Sequence, residues 1–134
     1  MAQVTVKPVA GHAYQLTADT GSHKIIIDQP VPTGSGGGPD PKETFLAGLA
    51  ACAAQTILMK APQRKWDIQE LTVTVTLTYP NGAKGTPVFD EKIEVKGNLT
   101  QAELDAIKRG AERCPVYELF VGAKTVNTAV VKLP

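Results

Sequence analysis

The sequence predicts an α+β fold in the order β-β-β-α-β-β-α-α-β, and three observations carry that prediction. Short apolar segments separated by glycines fill residues 3 to 28, a capped run of small apolar residues follows, and a clean period-two pattern begins after Trp66. At 134 residues the chain reads as one domain, 1–134, without repeats or low-complexity tracts.

The first strands are placed at Val4 and Val6, at Tyr14 and Leu16, and at His23 to Asp28 with its Ile25-Ile26-Ile27 run, divided by Gly11 and Gly21. That spacing predicts a small meander. Gln29 to Asp40 carries Pro30, Pro32 and Pro39 with Gly34, Gly36, Gly37 and Gly38, and is a loop. It precedes a helix as phosphate loops do, but it lacks their Gly-Lys-Ser/Thr ending and any dinucleotide-binding spacing. A flexible connector is the favoured reading.

Asp40 as N-cap, Pro41 at the first helical position and Glu43 three residues past the cap announce a long helix. It should stop near Lys60, ahead of Pro62. Ala47 to Ala54 is small and apolar on every side, the pattern of a helix buried all round. The most apolar stretch, Phe45 to Met59, is 15 residues long and too short to span a membrane.

Leu71, Val73, Val75, Leu77 and Tyr79 alternate with threonines along the next strand, Pro80-Asn81-Gly82 and Gly85 turn the chain, and Phe89 to Lys96 returns. On that return Phe89, Ile93 and Val95 point one way. Thr100 and Glu103 form a second capping box, with Leu99 and Leu104 at the positions of a hydrophobic staple, for a helix from about Gln101 to Glu112. Cys114 and Pro115 then begin a short helical turn ending near Gly122, and Thr125 to Leu133 reads as a last strand.

Composition excludes several functions. Fourteen Lys and Arg against thirteen Asp and Glu leave a net charge of +1 with no basic stripe, so neither nucleic acid nor a membrane surface is expected as a partner. The aromatic share of 5% requires a core of Val, Ile, Leu and Ala. No signal peptide is visible at the N-terminus, and the expected location is cytoplasmic. His12 and His23 make no zinc pattern with the two cysteines, so no metal and no cofactor is expected.

Cys52 and Cys114 are the candidate chemistry. Mid-helix among alanines and leucines, Cys52 taken alone is a small core residue whose pKa burial would raise. Cys114 caps a helix beside Arg113 and one turn beyond Arg109, a setting that favours a thiolate. Gln55 and Thr56 share the helical face of Cys52, where they would be placed to hydrogen-bond whatever reaches that thiol or simply to pack.

The run Gly-Gly-Pro-Asp-Pro-Lys-Glu-Thr-Phe-Leu-Ala-Gly-Leu-Ala-Ala-Cys (Gly37 to Cys52), followed by Glu112-Arg113-Cys114-Pro115-Val116, resembles the OsmC/Ohr family of osmotically inducible and organic hydroperoxide resistance proteins. The resemblance extends from Gly21-Ser22-His23 to the final strand. It implies an intertwined homodimer with the long helix of each copy at its centre, and a thiol peroxidase acting on organic, lipid-type hydroperoxides in oxidative-stress defence. In that scheme Cys52 is oxidised to a sulfenic acid, Cys114 condenses with it to a disulfide, and a dithiol such as a lipoylated protein restores both.

This chain departs from the pattern of the active peroxidases. They use an N-terminal arginine and a glutamate ten residues before the first cysteine, whereas here no arginine precedes Arg64 and Lys42 holds the other position. Glu43 lies one residue on, about 180° from Cys52 around the helix, and reads as a cap. The chain therefore resembles the OsmC-like subgroup without that arginine. Arg113, or His23 and Lys24 on the preceding strand, are the candidates to supply positive charge to Cys52. The alternative reading is a dimer with weak or no peroxidase activity that binds a hydrophobic ligand or senses redox state, and the blandest is a pair of inert thiols.

Overall fold

The computed structural model describes residues 1–134 and contains eight elements. They are β1 (Thr5–Pro8), β2 (Leu16–Asp19), β3 (Lys24–Ile27), α1 (Pro41–Arg64), β4 (Glu70–Thr78), β5 (Val88–Lys96), α2 (Gln101–Ala111) and α3 (Pro115–Phe120). The order matches the α+β expectation except at its end. Residues 125–133 pair with nothing and are exposed, Val130 at 95%. β-propensity describes a residue's fit to a neighbouring strand, and here the chain offers that segment none.

The chain divides into two compact units, residues 1–48 with 75–90 and residues 49–74 with 91–134, so that α1, β4 and β5 each run through both. The first unit contains the meander, an antiparallel sheet in the order β1-β2-β3 with Thr5 opposite Asp19 and Leu16 opposite Ile27. Gly21, at φ 96°, makes the turn into β3, where the Thr20 N–H donates to the His23 carbonyl at 2.9 Å.

The glycine-rich loop that follows is neither a phosphate cradle nor a loose connector. It folds around the carboxylate of Asp28, a buried residue that accepts from the Gln29 N–H at 2.7 Å, the Gly37 N–H at 3.0 Å and Gln15 Nε2 at 3.3 Å. The anion that the loop's amides hold is thus a side chain of the protein itself. The Gly37 and Gln29 N–H groups bring the Asp28 pKa down from 3.8 to about 2, against the opposing effect of burial.

α1 begins as the sequence indicates. The Glu43 N–H donates to Asp40 Oδ1 at 2.8 Å and the Asp40 N–H to Glu43 Oε2 at 3.0 Å, both halves of a capping box. Its end lies beyond Lys60, because Pro62 sits in the last turn, where a missing N–H costs only one intrahelical bond. The helix closes by a Schellman-type bond from the Trp66 N–H to the Ala61 carbonyl at 3.0 Å, with Lys65 in the left-handed region at φ 56°. At 24 residues α1 is long and apolar enough to cross a membrane by length and composition alone, which the shorter Phe45 to Met59 stretch was not.

Nor is α1 buried all round. Leu49, Ala53 and Ile57, four residues apart, form a single buried stripe, while Phe45, Leu58 and Met59 are exposed. In the second unit Ala53 and Ile57 pack with Ile107 and Ala111, and Trp66, Ile68, Leu71, Val73, Ile93 and Leu99 close around them. In the first, the Phe45 and Phe89 rings meet edge to face at 6.2 Å and Lys42 Nζ lies 5.6 Å over the Tyr79 ring.

β4 and β5 form the second sheet, and both alternate between exposed and half-buried residues as the period-two pattern requires. α2 starts at the capping box of Thr100 and Glu103, with both reciprocal bonds at 3.1 Å.

Asp28→Asn replaces a doubly accepting carboxylate with a group that must turn an NH₂ toward one of two amide donors. Thermal unfolding is expected several degrees lower at neutral pH. Because the folded pKa lies below the unfolded one, the wild-type advantage is complete above about pH 4 and is lost as pH falls through about 2. A pH series of melting curves for the two proteins should therefore converge only in strong acid.

Candidate functional site

Helix geometry brings the two cysteines together from 62 residues apart. Cys52 immediately precedes Ala53 on α1, one residue off the buried stripe, and its side chain is half-buried at the margin of the core. α2 ends at Ala111, and a tight turn closed by the Arg113 N–H to Gly110 and the Cys114 N–H to Ala111 delivers Cys114 three residues later. Both thiols are free, and they are near enough for Cys52 to influence the proton affinity of Cys114.

Cys114 is the N-cap of α3, with Pro115 at the first helical position, and its Sγ accepts the Tyr117 N–H at 3.3 Å. The sequence placed it correctly but anticipated a thiolate, and the structure reverses that expectation. Burial pushes the Cys114 thiol above its ordinary pKa, the Cys52 thiol and the Glu91 carboxylate push it further, and the Tyr117 N–H alone pulls it down. Cys114 has no accessible surface, and α3 is only six residues long, so the short helix offers little dipole to offset the loss of water.

The cations expected beside Cys114 are exposed. Arg109 and Arg113 line a separate cavity with Lys60, Arg64 and Trp66. Gln55 is exposed and Thr56 half-buried. Glu43 belongs to the first unit and is committed to its cap. His23, also in the first unit, is exposed with its Nδ1 3.1 Å from Ser22 Oγ. No group of three or more His, Cys, Asp or Glu side chains converges as metal ligands would. An open trough of about 730 Å³ in the first unit is lined by Gln3, Thr5, Lys7 and Thr17 among others, and holds no thiol.

One residue of the thiol neighbourhood escaped the sequence reading. Glu91 occupies the inward face of β5 between Phe89 and Ile93, half-buried, and its Oε2 is buried with no hydrogen-bond partner. Burial raises its pKa, and the nearby Glu112 raises it further. The signal was present in the strand period: Phe89, Ile93 and Val95 share a face, so position 91 must share it too.

The sequence profile described as OsmC-like protein matches residues 34–129, which contain both cysteines, α1, both long strands, α2 and α3. The chain belongs to the OsmC-like family. Among solved structures, the OsmC-like protein of Mycoplasma pneumoniae superposes with a TM-score of 0.74 at 24% identity, covering 90% of this chain and 86% of its own. The organic hydroperoxide resistance protein OsmC of Legionella pneumophila does so at 0.64 and 26% identity over 90% of each chain. The organic hydroperoxide resistance protein OhrB of Bacillus subtilis gives 0.57 and 24% over 91% of each. No curated protein matches the sequence. This OsmC-like chain thus shares its fold with proteins named for hydroperoxide resistance.

Glu91→Gln keeps the shape of the side chain and removes its charge. In a Cys52→Ser background, the thiolate absorbance of Cys114 should then appear at lower pH than with Glu91 present. The substitution should also flatten a stability trend. With the folded pKa raised above 4.5, Glu91 costs the wild type stability as pH rises through that value, and urea midpoints of the variant should lack that fall.

Proposed function

We propose that this OsmC-like protein is a cysteine-dependent peroxidase for organic hydroperoxides. The observation that carries the reading is a pair of free, neighbouring thiols whose environments differ: Cys52 is half-buried, while Cys114 is sealed from solvent with a raised pKa. A peroxide reaches Cys52 first. Its sulfur attacks the terminal oxygen, the O–O bond breaks, and Cys52 becomes a sulfenic acid as the alcohol leaves with the thiol proton. Cys114 then attacks the sulfenic sulfur, its proton leaves with the hydroxyl as water, and a disulfide forms. A dithiol, such as a lipoyl group, returns both sulfurs to thiols and is itself oxidised to a disulfide.

Family membership and the 26% identical Legionella pneumophila hydroperoxide resistance protein support the substrate class. The work of Glu91 and of burial in this scheme is to keep Cys114 protonated until the sulfenic acid exists. A reducing compartment such as the cytoplasm suits a cycle that starts from two thiols. The slower reading, a redox sensor, is favoured by one observation: Arg109 and Arg113 line another cavity and no arginine precedes Arg64.

Reduced protein treated with one equivalent of an organic hydroperoxide should lose both thiols within seconds, with an intact-mass decrease of about two hydrogens. Cys52→Ser should keep its remaining thiol, and Cys114→Ser should stop at a gain of about one oxygen. Two thiols surviving for minutes would overturn the peroxidase reading and leave the sensor.

The same proposal includes a homodimer. The chain exposes 10173 Å², whereas a compact monomer of 14.2 kDa exposes about 6,800 Å². An excess of that order is what a large obligate interface removes. Phe45, Leu58 and Met59 on α1 and Val126 to Leu133 supply the apolar surface, and a second copy is the occupant that covers it. Sedimentation equilibrium should give twice the 14.2 kDa chain mass. Leu58→Lys with Met59→Lys should shift it toward one.

A further inference from the structure

The second unit carries another constellation that the thiol chemistry does not use. Lys60 and Arg64 on the last two turns of α1, Arg109 on the last turn of α2 and Arg113 just beyond it surround a cavity of about 90 Å³, walled by Trp66. No carboxylate lines it. None of the four cations is in an ion pair, since the ion pairs of this chain are Lys92 with Glu94, Lys96 with Glu70, and Lys108 with Glu112.

Basic residues at helix C-termini have an ordinary explanation, because each helix end presents about half a negative charge. Two ends supply about one negative charge against four positive ones, so the dipoles leave most of the positive charge unanswered. Four like charges around one small space repel unless an anion enters it. The packing sustains this convergence. Gly110 is buried and bare, and a Cβ there would lie 3.4 Å from Lys60 Nζ and 3.6 Å from its Cδ. The Lys60 tail therefore packs on the backbone of α2 at Gly110, at the cavity that Arg109 and Arg113 also line.

We propose that this cavity binds a phosphate-type oxyanion, either free phosphate or the phosphate group of a small monoester. The space equals about three water molecules at roughly 30 Å³ each, the scale of one such group. Three guanidinium forks line the space, and each can meet two oxygens of a tetrahedral oxyanion, which a carboxylate or chloride does not exploit as fully. The indole of Trp66 gives the carbon portion of an ester an apolar wall. The site shares no residue with the thiol pair, and the proposal stands or falls apart from the peroxidase reading.

Trp66 is the chain's only tryptophan, so its fluorescence reports on the cavity directly. The reduced full-length protein is titrated with inorganic phosphate, with glycerol phosphate, and with potassium chloride at matched ionic strength, with calorimetry alongside. Both phosphates should give a saturable change that chloride does not. Arg109→Gln should weaken binding about tenfold and Arg109→Gln with Arg113→Gln about a hundredfold, while far-ultraviolet circular dichroism stays unchanged because both side chains are exposed. Saturation by glycerol phosphate at lower concentration assigns the site to an ester, and saturation by both at equal concentration assigns it to free phosphate. A response no different from that to chloride, no saturable signal in either method, or undiminished binding by the double variant would overturn the proposal.

Discussion

The packing of Ala53 and Ile57 on α1 against Ile107 and Ala111 on α2 is the contact on which the rest of the site depends. Two alanines in that cluster let the helix backbones come close, and the two isoleucines, each contributing roughly 1.5–3 kcal/mol through burial, hold them there. Cys52 is the residue before Ala53, and Cys114 follows Ala111 by three. Any slip of one helix along the other would therefore separate the sulfurs. The Thr100 capping box fixes where α2 starts, which in turn fixes where its last turn releases the chain toward Cys114.

Two inward-facing carboxylates show how the same group acquires opposite properties. Asp28 accepts two backbone amides and a glutamine amide, and the proton is driven off it. Glu91 has an oxygen shut away from water with no donor to meet it and another carboxylate nearby, and the proton is drawn onto it. The first ties a loop down and stabilises its unit. The second costs stability whenever it ionises, and in return it adds to the resistance of Cys114 to losing its proton.

Local chemistry in the sequence marked most of the elements. The Asp40 and Thr100 capping boxes, the Cys114 cap and the alternation of β4 are each specified by neighbours within four residues, and each is where the sequence indicates. Most of what failed depended on partners distant along the chain, the end of α1 being the local exception. The end of α1 turned on a Schellman closure at Lys65 that rescues Pro62, and the last strand required a neighbour that the chain does not place beside it. The thiolate expected at Cys114 followed from the local charges of Arg109 and Arg113. Whether those charges face the sulfur is a tertiary fact, and they face another cavity. The pairing of Cys52 with Cys114 came through family resemblance, because a spacing of 62 residues carries no geometric information of its own.

A thiol pair needs an asymmetry if one sulfur is to attack a peroxide and the other to resolve the product. The asymmetry can come from lowering one pKa with a cation or from raising the other. In this chain burial, the neighbouring thiol and Glu91 all act on Cys114 in the raising direction, and access favours Cys52. On the proposed peroxidase reading, that arrangement would separate the roles without a dedicated arginine, since protonation and lack of exposure would keep Cys114 from competing for peroxide. On the same reading its cost would fall on the resolving step, where Cys114 would have to give up a proton its surroundings protect. Formation of the proposed disulfide, rather than the first attack, would then be the step most sensitive to the charge at position 91.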